Sequence, residues 1–339
     1  MTNKLRMALV GCGGIARAHW RGIKYLAPRI EVTAVVDSNP AVAEAWSKRT
    51  GAKAFTELGV ALESQLFESV DLMLPHDVHI EAAEACFHAG KHVVLEKPMA
   101  MDVAGAERIL AAAKQAGVIL MVAEQAQYWP DIHKARELMD GGEIGEVITA
   151  RGCFYDSLVL DSQSPVPWRF DLSKAGGGIV IDGGAHWIRP LRLLLGEIDS
   201  VVAVMGSHIP RMEGESWSHA LLRFETGLTA TFDAYTSYSS VGPTEDFRIS
   251  GSEGELVIER GPGGHLKLFN VRHPEGLDVM DSYQGKVDSY GKELQDFSSA
   301  VLDGSPLSAE PEFSLGELRT ALAIYRSVQS GRWESVWSN

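Results

Sequence analysis

Cysteine is scarce in this chain of 339 residues: Cys12, Cys86 and Cys153 are odd in number and far apart. No disulfide framework and no zinc spacing can be built from them, which points to a reducing, cytoplasmic setting. Basic charge is short as well. The chain has 31 Lys and Arg against 45 Asp and Glu, a formal net charge of −14, so nucleic acid and anionic membranes are not expected partners. No apolar run approaches the length of a membrane helix, about 20 residues. The opening MTNKLRMALVGCGG carries only a short apolar run before its glycines, so neither a signal peptide nor a span is expected there. Low-complexity tracts and internal repeats are missing too. What is present, 45% hydrophobic and 22% charged residues, is ordinary for a globular protein. At this length two domains are expected.

Leu5–Val10 reads as a buried strand that runs into Gly11-Cys12-Gly13-Gly14-Ile15-Ala16 and then a helical stretch through Tyr25. This is G-x-G-x-x-A in the strand–turn–helix setting of a dinucleotide site. Gly11 permits the tight turn, Gly13 lets a pyrophosphate reach the backbone at the helix N-terminus, and Ala16 lets helix and strand pack closely. Gly14 and Ile15 complete the loop. The second strand, Ile30–Val36, sets Asp37 at its carboxyl end with Ser38 beside it. An acid there accepts from ribose hydroxyls and repels a 2′-phosphate, favouring NAD over NADP. Asp37 also suits a cap on the next helix, as Ser38-Asn39-Pro40 does.

Strands and helices go on alternating to Val118–Val122, which predicts a doubly wound α/β sheet. Ligands bind such sheets at the carboxyl ends of the strands. That nominates as cofactor neighbours Leu74, Pro75 and His79 after one strand, Glu96 and Lys97 after the next, and Gln125 after the last. His76, Asp77 and His79 have no second cluster to complete a metal site, so no metal is expected. Lys97, followed by Pro98, is placed to donate to a substrate hydroxyl or carbonyl oxygen.

Farther on, AGGGIVIDGGAHWIRPLRLLL (175–195) combines a glycine run with Asp182 and His186 four residues apart. On a helix that spacing puts both on one face, where a carboxylate orients an imidazole for acid–base work. The same spacing also occurs in plain surface ion pairs. Gly183 and Gly184 would let something bulky approach the backbone, and Pro190 would kink or restart the helix. From Val201 strand follows strand (VVAVMG, HALLRFE, TATFDAYT, FRISG, GELVIER, HLKLFN) with turn glycines between several of them, which predicts an open, mostly antiparallel sheet. One face should cover helices and the other a second subunit, giving a homodimer or homotetramer. Two helices, Tyr290–Leu302 and Ser314–Ser330, close the chain.

Three segments together, GCGGIA, AGKHVVLEKPMA (89–100) and AGGGIVIDGGAH, resemble the Gfo/Idh/MocA oxidoreductase family over essentially the whole chain. The resemblance implies a Rossmann domain over 1–123 and a substrate-binding, oligomerising α/β domain over 124–339, with the helix at about 314–330 packing back near the first. It matches Lys97 to the family's catalytic lysine, Asp182 to its active-site aspartate and His186 to its acid/base histidine, with a cis Lys97–Pro98 bond. It places the loop Asp156–Asp171, entered from Tyr155 and carrying Pro165, Pro167, Trp168 and Arg169, beside the substrate pocket. There aromatic faces suit a sugar ring and Arg169 can donate to hydroxyls or a carboxylate. Lys97, Gln125, Tyr155, Trp168, Arg169, Asp182 and His186 are thus the expected substrate contacts.

The implied activity is hydride transfer between NAD(P) and a secondary alcohol or ketone of a sugar, inositol, sugar acid or related cyclic polyol. Two alternatives stand beside it: an enzyme that retains its cofactor, for sugar–sugar oxidoreduction or glycoside cleavage, and a non-catalytic NAD(H) sensor. The chain departs from the family at Gln125 and Gln127, where Asn and Arg are common, and at Arg189, where many relatives have Asp. Arg189 is expected to meet an acidic or highly oxygenated substrate group, or to face solvent or a neighbouring subunit.

Overall fold

A computed structural model describes residues 4–157, 166–237, 245–260, 264–280 and 285–338. The chain divides into two compact units: residues up to Tyr128 together with Lys286–Leu315, and Trp129–Gly285 together with residues from Gly316 onward.

The first unit alternates β1 (Leu5–Val10), α1 (Ala16–Leu26), β2 (Ile30–Val36), α2 (Pro40–Thr50), β3 (Lys53–Phe55), α3 (Leu58–Glu63), β4 (Ser69–Leu72), α4 (His79–His88), β5 (His92–Glu96), α5 (Val103–Ala116) and β6 (Leu120–Ala123). The strands stand in the order β3-β2-β1-β4-β5-β6 and every pair is parallel. This is the expected Rossmann sheet; its central strand β4 is buried throughout and carries Ser69 and Asp71 among its apolar residues. Local signals set the helix ends. Asn39 caps α2 by accepting from the Ala41 N–H, with Pro40 at the first position and Gly51 in the left-handed region after the last. Asp102 likewise caps α5. By contrast, α1 has no side-chain cap and no acid in its first turn, so its N-terminal N–H groups favour an anion.

The second unit runs α6 (Pro130–Asp140), β7 (Val147–Ser157), α7 (Leu172–Ala175), α8 (Ala185–Leu195), β8 (Ile198–Gly206), β9 (Trp217–Phe224), β10 (Thr229–Ser237), β11 (Glu245–Gly251), β12 (Gly254–Glu259), β13 (His265–Asn270) and β14 (His273–Asp278). The chain then supplies α9 (Gly285–Asp303) to the first unit and ends with α10 (Leu315–Ser330) and β15 (Glu334–Ser335). The sheet order is β14-β13-β12-β11-β7-β10-β9-β8-β15, antiparallel except for the parallel pair β7 and β10. In β9 buried residues alternate with more exposed ones, as in a sheet with one face on the core. The strands β14 and β15 were not anticipated: β14 carries Pro274 and Gly276, which weaken a strand signal and suit a sheet edge.

The structure places nearly all of α9 in the first unit and nearly all of α10 in the second. Leu294 and Phe297 of α9 lie in the first unit's core with Leu5, Met7 and Leu9. A Cβ on Gly22 of α1 would sit 2.8 Å from the Gly291 nitrogen, so two glycines let α1 and α9 cross closely. Within the second unit, α10 buries Glu317 against α8, and its Ser327 hydroxyl accepts from Ala203 N at 3.0 Å on β8.

Candidate active site

The glycine loop fits a dinucleotide. Gly11 has φ +84, and a Cβ there would overlap the Met73 carbonyl oxygen, so only glycine makes this turn. A Cβ on Gly13 or Gly14 would meet nothing within 4 Å; the loop surface is open for a diphosphate to reach the backbone. Asp37, half-buried at the end of β2, accepts from Cys12 N at 3.0 Å and Asn39 N at 2.9 Å. Asn39, not Asp37, caps α2, so the Asp37 carboxylate is held at the strand end where a ribose would bind. Ser38 beside it is exposed. Burial, with Asp37 adding to it, pushes the Cys12 thiol up to about 12. Cys86 and Cys153 are also buried and pushed up to about 12, which makes all three poor nucleophiles.

Beyond the loop, the turns after β4 and β5 are tied together from inside. His79 is fully buried, its ring nitrogens 3.0 Å from the Pro98 carbonyl oxygen and 2.9 Å from that of Leu74. It staples the two turns and does not face outward as a cofactor neighbour would. Leu74 and Pro75 are half-buried, Gln125 is buried, and the Lys97–Pro98 bond is cis. Glu96 is likewise turned inward, with Oε1 2.9 Å from His19 Nε2 and Oε2 accepting from Lys97 N at 3.1 Å. The other ring nitrogen of His19 lies 2.9 Å from Asp71 Oδ2. Burial alone would lower the pKa of this ring, but the charges and hydrogen bonds of Asp71 and Glu96 outweigh it and raise it well above the usual value. Beside it, Glu293 of α9 is fully buried and, among the described residues, neither of its oxygens has a hydrogen-bond partner.

In the second unit, the Asp182–His186 stretch is not one continuous α-helix. Residues Val180–Gly184 form a π turn, with Gly184 N donating five residues back to Ile179 O at 2.8 Å, a device common at functional sites. Asp182 lies in this turn, and His186, half-buried, is the second residue of α8. The glycines admit the protein's own side chains. A Cβ on Gly183 would overlap the Phe154 ring, one on Gly177 the Tyr325 hydroxyl, and one on Gly178 the Glu215 carbonyl oxygen.

Glu215 is the anchor. Its carboxylate accepts from Gly178 N (2.8 Å), Val180 N (2.9 Å) and the Tyr325 hydroxyl (3.0 Å), and its carbonyl oxygen from Ile179 N (3.0 Å). Three successive N–H groups that open the turn therefore end on one residue. Burial pushes the Glu215 carboxyl up, and these hydrogen bonds pull it partly back.

The structure brings Arg169 and Asp182 together: Nε donates to Oδ2 at 2.7 Å, with the guanidinium 4.4 Å from the Trp168 ring centre. Tyr155 packs edge-on against Tyr235 at 5.7 Å. Residues 158–165 of the loop entered from Tyr155, Pro165 among them, lie outside the described residues. Arg189 departs from expectation. It is buried and donates to Glu317 through Nε (2.7 Å) and Nη2 (3.1 Å), while Arg192, one turn on, shares Glu317 and pairs with Glu197. It faces the helix α10, and serves the interior of its unit. Gln127 is also buried, donating to the Ser308 carbonyl oxygen at 3.3 Å.

Sequence reasoning missed His19, Asp71, Glu293, Glu215 and Tyr325. None carries a local signature, since each matters through partners dozens of residues away. Among the described residues no group of His, Cys, Asp and Glu could hold a metal ion, and no helix is long and apolar enough to cross a membrane.

A parallel sheet in this strand order, an uncapped helix behind an open glycine loop and an acid at the end of β2 define an NAD-binding oxidoreductase. Family models agree: residues 5–124 match the oxidoreductase family with an NAD-binding Rossmann fold, and 132–257 match the GFO/IDH/MocA C-terminal domain. The chain belongs to the GFO/IDH/MocA oxidoreductase family. It is similar to levoglucosan dehydrogenase of Pseudarthrobacter phenanthrenivorans, 26% identical with 98% of each chain covered. It is also similar to dTDP-3,4-didehydro-2,6-dideoxy-alpha-D-glucose 3-reductase of Actinomadura kijaniata, 28% identical over 97% of this chain and 96% of the relative. Among solved structures, an oxidoreductase from Thermotoga maritima is 29% identical with a TM-score of 0.84, covering 98% and 99% of the two chains.

Proposed function

We propose that the protein is an NAD-dependent dehydrogenase acting on a secondary alcohol or ketone of a sugar, inositol, sugar acid or related cyclic polyol. The observation that carries the reading is Lys97. It follows β5 directly in the unit that holds the glycine loop and Asp37, and its own N–H is held by a buried carboxylate. The two relatives named above are, by their names, a dehydrogenase and a reductase of sugar compounds. When bound, NAD supplies the hydride acceptor.

The chain's residues supply the rest. Lys97 donates a hydrogen bond to the reacting oxygen and favours its alkoxide-like form. His186 takes the hydroxyl proton. Asp182, gripped by Arg169, sets the polar side of the His186 element, and Trp168 with Tyr155 offers aromatic faces for a ring's C–H surface. Asp37 selects NAD over NADP through repulsion of a 2′-phosphate.

A cytoplasmic homodimer or homotetramer goes with this reading. On the open face of the nine-stranded sheet a cavity is lined by Arg151, Val204, His219, Leu221 and Asp233, with Val204 59% and Leu221 46% exposed. Apolar side chains grouped on such a face favour a second copy.

The test is a spectrophotometric screen of sugars, inositols and sugar acids with NAD and with NADP. NADH formation with one substrate class supports the reading, and silence across the panel with a protein that binds NADH rejects it. His186→Ala is expected to lower kcat about hundredfold or more while the Kd for NADH, read by fluorescence titration, stays within about twofold. Normal turnover in that variant would remove His186 from its role.

A further inference from the structure

Three side chains form a continuous line inside the first unit. His19, on the buried face of α1 with Ala16 and Ile23, has both ring nitrogens on carboxylates, Asp71 of β4 and Glu96 at the end of β5. Carboxylates only accept, so a ring that serves both must donate from both nitrogens, which makes it an imidazolium. Glu96 then has one oxygen on that ring and the other on the Lys97 N–H. The cluster is closed by α9, whose Tyr290 ring centre lies 5.4 Å from that of His19 and whose Glu293 is buried alongside. Burying a cation and two carboxylates is unfavourable unless the geometry is good and the groups are bonded. A plain apolar core would serve stability as well, so the arrangement calls for another purpose. Lys97, half-buried, follows the cluster's Glu96 directly in the chain.

We propose that His19 is a positioning residue for Lys97: its ring, clamped between Asp71 and Glu96, holds the Glu96 carboxylate against the Lys97 N–H and so fixes the main chain from which the lysine side chain projects. This rests on the reading of Lys97 as a residue that touches the reacting oxygen.

The first test needs no substrate. In His19→Gln, hydrogen exchange at the Lys97 amide should rise about tenfold, the loss expected for a charge-assisted hydrogen bond, while the Val93 and Val94 amides inside β5 keep their protection. Glu96→Gln, which keeps the shape but weakens both bonds, should do the same if His19→Gln proves too unstable to purify. Unchanged exchange at Lys97, or an equal rise along the whole of β5, would overturn the proposal, the latter marking a purely structural role.

The second test is a double-mutant cycle with Lys97→Met, using the sugar or polyol that the screen selects. His19→Gln should lower kcat about tenfold with lysine present and have no effect on kcat in the Lys97→Met background, with the KM for NAD within about twofold throughout. Equal losses in both backgrounds would overturn it. Full turnover in Lys97→Met with His19 intact would instead bring down the reading of Lys97, and the proposal with it, so the two failures are told apart.

Discussion

Glu215 and Glu293 are both buried carboxyls, one in each unit, and burial pushes the pKa of each upward. Their surroundings are opposites. Glu215 meets two backbone N–H groups and a tyrosine hydroxyl. Glu293 meets, among the described residues, no donor at either oxygen and is faced by Asp71, Glu96, Glu124, Tyr290 and the His19 ring. Of these charges only His19 favours its ionised form. The comparison teaches that burial alone does not give a carboxyl its role. The first acid is a clamp that organises main chain; the second lacks donors, and burial beside other acids favours its protonated form.

The sharpest way to break this contrast is Gly178→Ala, which would drive a Cβ into the Glu215 carbonyl oxygen. It should lower stability by about 3 kcal/mol or more, as overpacking against backbone does, read from the urea midpoint. A midpoint equal to that of the parent would mean the turn is not gripped as described.

Next in size is Glu215→Gln. Its amide would set a donor against either the Gly178 or the Val180 N–H, a mismatch of about 2 kcal/mol. An unchanged midpoint would show that the clamp is dispensable.

Smallest is Glu293→Gln, which removes no hydrogen bond. A carboxyl whose folded pKa lies above its unfolded value, about 4.3 for Glu, binds more protons folded than unfolded between the two. Its contribution to stability therefore declines as pH rises through that interval. The Gln variant should match the parent near pH 4 and be the more stable of the two at pH 8, with the difference opening as pH rises from the unfolded value. A variant less stable than the parent at pH 8 would show that Glu293 is ionised and bonded after all. His19 is present in both proteins. Its raised pKa gives stability that is full below about 6.5 and is lost as pH rises through its folded value, so only the difference between the two proteins reports on Glu293.

The first unit was the more legible because its signals are local. A strand, a glycine loop and a helix in immediate succession fixed the position of the nucleotide end, and Asp37 stands where the strand pattern put it. The second unit hid its working parts. Four-residue spacing presumes an α-helix, but Phe154 over Gly183 and the Glu215 clamp over Gly178 accompany a π turn instead. The glycines were legible as close approach, but not the identity of what approaches, since Glu215 lies 37 residues from Gly178. Arg189 gave no sign of being an interior residue, because its partner, Glu317, comes 128 positions later. The return of α9 was hidden for the same reason: a glycine in α1 matched to one in α9 leaves no pattern that a window can see.

That return also sets an order of events during synthesis. Residues up to Tyr128 leave the ribosome carrying all six strands of the parallel sheet, but without Leu294 and Phe297. The apolar side of α1 that they cover must wait for the whole of Trp129–Gly285 to be made, at about 5–20 residues per second. The nucleotide unit is therefore completed only after most of the second unit has been made, and a gene fragment stopped at Tyr128 would encode it without Leu294 and Phe297 of its core.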